Sequence, residues 1–207
     1  MDYTTLKANV LDRVGLPSTD GLAADASLGK AVNAAVQRYS TRRAWPWLYS
    51  EPATVPTVAG TATVATPTCQ RILWVGINGD ELERRQRPDL LRYGTLTTAF
   101  TGRPYVWAPG NSLVHFAPTP DAVYAVQFGV TLVEPALSSG TDVPLLPVQF
   151  HDYLVVMASR YIAVRRKDSE LLAVLKDEER EWEAALDRAA ALAAGTVAVR
   201  TRQDWGI

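Results

Sequence analysis

The sequence predicts an α+β chain: N- and C-terminal helices form a bundle, a central antiparallel β segment is inserted into it, and an extended C-terminal tail follows. Three observations predict it. Apolar residues recur at intervals of three and four up to residue 39, and again between residues 150 and 186. Over residues 52–133 the pattern changes to short runs of Val, Ile, Thr and aromatics, punctuated by Gly60, Asn78-Gly79 and Pro109-Gly110-Asn111. The switch falls at Arg43-Ala44-Trp45-Pro46-Trp47-Leu48, where Pro46 lacks the N–H a helix interior needs and biases Trp45 toward extended backbone. Trp45 and Trp47 flank that break and can pin the helix end onto the following sheet. The expected parts are residues 1–50 (N-terminal helices), 51–134 (β insertion), 135–194 (C-terminal long helices) and 195–207 (tail).

Each element has its own signal. Tyr3, Leu6, Val10 and Val14 give a short amphipathic helix that Gly15 and Pro17 end. Residues 18–25 read as a polar loop, and Asp25 or Ser27 can cap a second helix running to about Arg43 on the stripe Leu28, Ala31, Val32, Ala35, Val36, Tyr39. Ile72-Leu73-Trp74-Val75 and Glu81-Leu82-Glu83 read as hairpin arms around Asn78-Gly79. Tyr124, Val126, Phe128, Val130 and Leu132 alternate with Gln127, Gly129 and Thr131, so one strand face is apolar and the other open, as in a small sheet or sandwich. Residues 84–101 are arginine-rich and read as a short helix or a long loop, and 135–143 as a linker. Pro147 suits the first turn of a third helix bearing Phe150, Tyr153, Leu154, Met157, Tyr161 and Val164. Arg165-Arg166-Lys167-Asp168 interrupts it, and Asp168 caps a fourth helix on Leu171, Leu172, Leu175, Trp182 and Leu186, which Gly195 is expected to end.

Bulk properties narrow the function classes. Six Trp and eight Tyr among 207 residues provide ample core, and a formal charge of −1 is not the basic footprint of a protein that grips nucleic acid. A lone Cys69 excludes an intrachain disulfide and reads as a small residue in or beside a strand. No run of about eighteen apolar residues exists and no targeting segment is visible, so the expectation is a soluble protein made in the cytoplasm, with no membrane partner.

The search for chemistry returns little. His115 lies in a strand pattern and His151 near a helix start, neither at a metal-ligand spacing, and both read first as hydrogen-bonded or surface histidines. Nucleophile-elbow and phosphate-loop patterns are missing, and the carboxylates of residues 177–183 are spaced as ordinary helix-surface pairs. The reading is therefore a non-enzyme with no catalytic residue, cofactor or metal. Arginines cluster at Arg42-Arg43, Arg84-Arg85-Arg87, Arg165-Arg166-Lys167 and Arg200/Arg202. Their plain reading is a solvated surface paired to nearby acids; the sharper one is protein contact, which Arg200, Arg202 and Trp205 fit best, since Trp and Arg dominate interface hot spots.

Taken in order, Ala44-Trp45-Pro46-Trp47-Leu48, Gly102-Arg103-Pro104-Tyr105, Leu113-Val114-His115-Phe116-Ala117-Pro118-Thr119-Pro120 with Tyr124, and Leu145-Leu146-Pro147 with Asp168 give the chain a likeness over most of its length. It resembles the head–tail adaptor proteins of tailed bacteriophages, the neck components that join portal to tail. The resemblance implies a structural protein of the virion neck, assembled in the host cytoplasm as a ring of about twelve copies that closes by repeating one interface. Its partners would be the portal protein, neighbouring copies, a downstream tail or stopper/nozzle protein, and genomic DNA passing through the lumen. The same resemblance makes residues 196–207 the portal-docking segment (Val197, Val199, Arg200, Arg202, Trp205 and Ile207), with Trp205 as anchor, and Trp45, Pro46 and Trp47 the helix-to-β junction. Two other classes compete with it. A carbohydrate- or peptide-binding module would expose Trp74, Tyr105 and Trp107 together on one sheet face, and a hydrolase would set His115 or His151 beside an acid in a pocket.

Overall fold

The computed structural model describes residues 1–17, 26–51, 54–90 and 100–203, with side chains to residue 193. Asp2 opens the first helix, α1 (Tyr3–Arg13), by accepting the Thr5 amide at 2.7 Å, and Gly15, at φ +66°, closes it with its N–H on the Asp12 carbonyl. The second helix, α2 (Ala26–Arg42), starts one residue ahead of Ser27, which therefore lies in its first turn instead of capping it. Asp25 and the rest of the expected polar loop (18–25) lie outside the described residues. After a 3-10 turn (Pro46–Leu48) the chain passes into strands and returns to a second 3-10 turn (Val148–Phe150) leading into α3 (His151–Arg166). Lys167, left-handed at φ 59°, breaks α3, and Asp168 Oδ1 accepts the Leu171 N–H at 3.0 Å to start α4 (Ser169–Gln203). That interruption and cap are those read from the sequence.

One expectation is corrected here. The backbone of α4 continues through Gly195 to Gln203, so an extended conformation does not begin at residue 195. Glycine costs a helix only about 1 kcal/mol relative to alanine, and the Ala-rich residues before it favour the helix over a cap. Residues 204–207, Trp205 and Ile207 among them, lie outside the described residues.

The chain divides into two compact units, one of Met1–Leu48 with Glu134–Ile207 and the other of Tyr49–Val133. In the helical unit α3 packs against α1, α2 and α4. Leu6, Val10, Leu28, Ala31, Val36, Leu154, Ala158, Ile162 and Leu186 form its interior; the predicted stripes turn inward except at Tyr161 and Val164, which are exposed at the end of α3 while Ala158 and Ile162 are buried instead. The segment after the β unit, which the sequence suggests is only a linker, is strapped to α2. Asn33 bonds both the N–H and the carbonyl of Leu137, at 2.7 and 2.9 Å, and Gln37 one turn on donates to the Glu134 carbonyl at 2.9 Å.

The β unit is a two-sheet sandwich. In one sheet β9 (Ala125–Thr131) is central, paired antiparallel with β1 (Tyr49–Ser50), β2 (Val55–Pro56) and β4 (Arg71–Ile77), and β4 pairs in turn with β5 (Asp80–Glu81). The other sheet runs β3 (Thr63–Ala65), β8 (Leu113–Ala117), β7 (Val106–Pro109), β6 (Glu83–Arg84). Asn78 at φ 54° and Gly79 at φ 88° make the expected tight hairpin between β4 and β5. The expectation of a wholly antiparallel sheet is corrected at β6, which pairs parallel with β7 because the chain leaves the hairpin at Leu82 and crosses to the second sheet. Val75, Ile77, Val126, Phe128 and Val130 of the first sheet meet Val64, Trp107, Val114 and Phe116 of the second in one core. Within the arginine-rich 84–101 stretch, residues 87–90 are helical and Leu90 packs on Val106, Ala108 and Ala117; 91–99 lie outside the described residues.

Candidate interaction surfaces

The junction tryptophans pack in the helical core. Trp45 is fully buried in the helical core, with its indole N–H on the Tyr39 carbonyl at 2.8 Å. Tyr39, Trp45, Trp47 and Phe150 form a continuous stack, with centroids 5.6, 5.0 and 6.3 Å apart, and Trp182 meets Phe150 edge-on. Trp47 donates its indole N–H to the Tyr39 hydroxyl. These rings fasten α2, the Pro46 turn, the 3-10 turn ahead of α3, and α4 to one another. Desolvation raises the Tyr39 phenol far above its ordinary value, so it stays neutral and can serve as acceptor.

Most of the arginine clusters are answered by acids or carbonyls. Arg42 pairs with Glu183 at 2.7 Å, Arg43 pairs with Asp187 at 2.9 Å while lying over the Trp45 ring, and Arg13 pairs with Glu178. Arg85 pairs with Glu83 at 2.6 Å, Arg84 lies over Trp107, and Arg166 donates to the Val14 carbonyl at 3.1 Å. The side chains of Arg200 and Arg202 lie outside the described residues. A less ordinary site is Glu179, buried on α4 between Arg160, its ion-pair partner, and Arg38 at 3.5 Å. It closes one end of a groove of about 320 Å³ whose apolar lining is Ala34, Ala35, Met157, Tyr161 and Val164.

His151 is fully buried, its Nε2 2.7 Å from the Leu146 carbonyl and its Nδ1 2.5 Å from the Met1 amine; burial lowers its pKa and holds it neutral. His115, half-buried on β8, is also lowered by burial, with a smaller push from the Arg87 charge. Among the described residues no group of three or more His, Cys, Asp and Glu could hold a metal ion. Cys69 is half-buried beside the sandwich core, and burial raises its thiol pKa, as suits an inert cysteine. The three aromatics of the binding-module reading do not share a face. Trp107 is buried between the sheets, Tyr105 is exposed just before β7, and Trp74 lies over the backbone of Gly129 and Gly76 in the other sheet.

Sequence reasoning misses Glu134. Its side chain is 1% exposed, Oε1 accepts the Leu145 N–H at 2.7 Å, and Oε2 has no partner among the described residues. Desolvation raises its pKa to about 7, against a smaller lowering by the Leu145 bond. A glutamate following Val133 and preceding Pro135 carries no pattern that foretells burial.

Stacking, ion pairs and strapped segments organise the helical unit. The family model described as SU10 adaptor protein matches residues 1–204, and the chain belongs to that family of bacteriophage adaptor proteins. No curated protein matches the chain significantly. The tailed-phage adaptor likeness read from the sequence is thereby borne out, and with it a structural adaptor role. Among the described residues no helix is long and apolar enough to cross a membrane.

Proposed function

We propose that this protein joins the portal to the tail, or to the next neck component, of a tailed phage as a ring of about twelve copies closed by one repeated interface. The observation that carries the reading is the extent of the family match, which spans both the helical and the β unit. The charge balance supports it: a near-neutral chain lining a DNA channel avoids the phosphate grip that counterion release would give a basic lumen. In this reading assembly takes place in the host cytoplasm. The β unit faces the downstream tail or stopper/nozzle protein, and residues 196–207 dock on the portal with Trp205 as anchor.

Counting copies per purified particle by quantitative peptide mass spectrometry tests the placement. About a dozen is the expected result for a closed ring, whereas hundreds or none would overturn it. Ending the chain after Gly195 tests the docking segment. The described core of the helical unit, from Tyr3 to Ala190, lies ahead of that cut, so retained folding with loss of portal binding is the expected result. Portal binding unchanged by that truncation would remove the assignment.

A further inference from the structure

The helical unit carries two exposed features of opposite chemistry on different sides. The first is the groove between α2 and α3. Its apolar lining is flanked by Arg38, Arg160 and Arg165, against which stands a single carboxylate, Glu179. Tyr161 and Val164 are 47% and 55% exposed on its edge, so apolar surface there faces water. The second is a knob on α4. Val174 is 57% exposed, and Glu170, Asp177 and Glu181, at spacings of −4, +3 and +7, lie within about 60° of it around the helix. All three acids are exposed, and Asp177 pairs with Arg180 at 2.9 Å, which leaves Glu170 and Glu181 to face a partner. Glu179 follows Val174 by five positions, which turns them about 140° apart on α4. The knob therefore points away from the groove of its own copy.

We propose that Val174 of one copy seats in the Ala34/Ala35/Met157/Tyr161/Val164 groove of the next, with the neighbouring carboxylates of Glu170 and Glu181 on Arg38 and Arg165. This rests on the ring reading above and names the surfaces that would close the ring. Charge selects a second copy as the occupant: the groove carries an excess of two positive charges, and the knob is apolar with carboxylates on the same helix face. Opposed signs on different faces of one subunit make a head-to-tail contact, which propagates until the rotation closes, whereas a two-fold contact would stop at a dimer. Like charges would meet in any groove-to-groove or knob-to-knob pairing and oppose it.

Cysteine cross-linking tests the pairing directly. Cys69 is the only cysteine, so a Cys69→Ser background with Ala34→Cys and Val174→Cys leaves one thiol on each surface. Both sites are exposed, so neither substitution threatens the fold. Particles carrying this chain, oxidised and run without reductant, should give a covalent ladder extending past the trimer, and neither single-cysteine variant should give one. A ladder that stops at dimers, or monomers alone from particles that still contain about a dozen copies of a closed ring, would sink this pairing and leave the ring reading intact. Particles lacking the chain, with the Cys69→Ser control lacking it too, would overturn both. As a second measurement, Arg165→Glu should weaken self-association at least about tenfold, and adding Glu181→Arg should recover most of it. If the second change brings no recovery, the assignment of partners is wrong.

Discussion

The helical and β units solve burial in different ways. The helical unit buries large rings and polar groups together, and the largest of these are answered: Tyr39 by two indoles, His151 by the Leu146 carbonyl, Glu134 in part by the Leu145 amide. The β unit buries a mainly aliphatic and aromatic layer; Thr57 is an exception, donating to the Ala122 carbonyl at 3.0 Å and accepting the Tyr124 N–H at 2.8 Å, and much of the remaining polar work lies in the sheet ladders and in turns such as Asn78-Gly79. Specificity in the first unit therefore rests on named hydrogen bonds, and in the second on register and shape.

The largest test of that contrast is Trp45→Ala. It removes a fully buried ring, one carbonyl partner and the centre of the stack, and should cost about 4 kcal/mol. Chemical denaturation followed by Trp fluorescence measures it, and a loss under about 1 kcal/mol would show that the stack is not central to the fold. Its counterpart in the β unit tests shape alone. A Cβ at Gly129 would lie 2.0 Å from Trp74 Nε1, so Gly129→Ala must displace the indole or bend β9, at about 2 kcal/mol. In a Trp74→Ala background the same change should be nearly neutral. An equal cost in both backgrounds would point to backbone conformation instead of the indole.

How legible each unit is in sequence follows the same line. Helical periodicity displayed the core stripes, and Asp168 and the Asn-Gly turn announced their local geometry, since propensity and capping act over a few residues. Long-range polar pairings left no such trace. Nothing in the spacing of Asn33 and Gln37 tells that they hold a segment a hundred residues away, and nothing around Glu134 tells that its carboxyl is buried. Strands of two residues, such as β1, β5 and β6, are too short for alternation to show, so the parallel β6–β7 pairing came only from the fold. For the candidate surfaces, charge clusters were visible, but which arginines are already paired was not. The groove needs two helices placed side by side before it exists.

Asn33→Ala probes the straps. It strands the buried Leu137 amide and carbonyl together and should cost about 2 kcal/mol. Hydrogen exchange at the Leu137 amide should rise at least tenfold; exchange at the wild-type rate would mean that water or another group replaces the side chain.

Glu134 gives the smallest but most specific effect, because it predicts the direction of a pH dependence. Its folded-state pKa of about 7 lies above the ordinary 4.5, so between those values the folded state holds more protons than the unfolded one. Its contribution therefore favours the fold at pH 5 and fades as pH rises through 7, leaving a buried carboxylate at pH 8. His151 acts in the opposite sense, since a lowered pKa makes the folded state release its proton earlier and destabilises it as pH falls below 6.5. The two can be separated by substitution. Glu134→Gln keeps an oxygen acceptor for Leu145 and carries no charge, so it should raise stability at pH 8 by about 1–2 kcal/mol and change it little at pH 5. The stability of that variant should rise from pH 5 to about 6.5 and then level off, as His151 requires. A variant destabilised equally at both pH values would show that Oε2 matters for a hydrogen bond, and not for its proton.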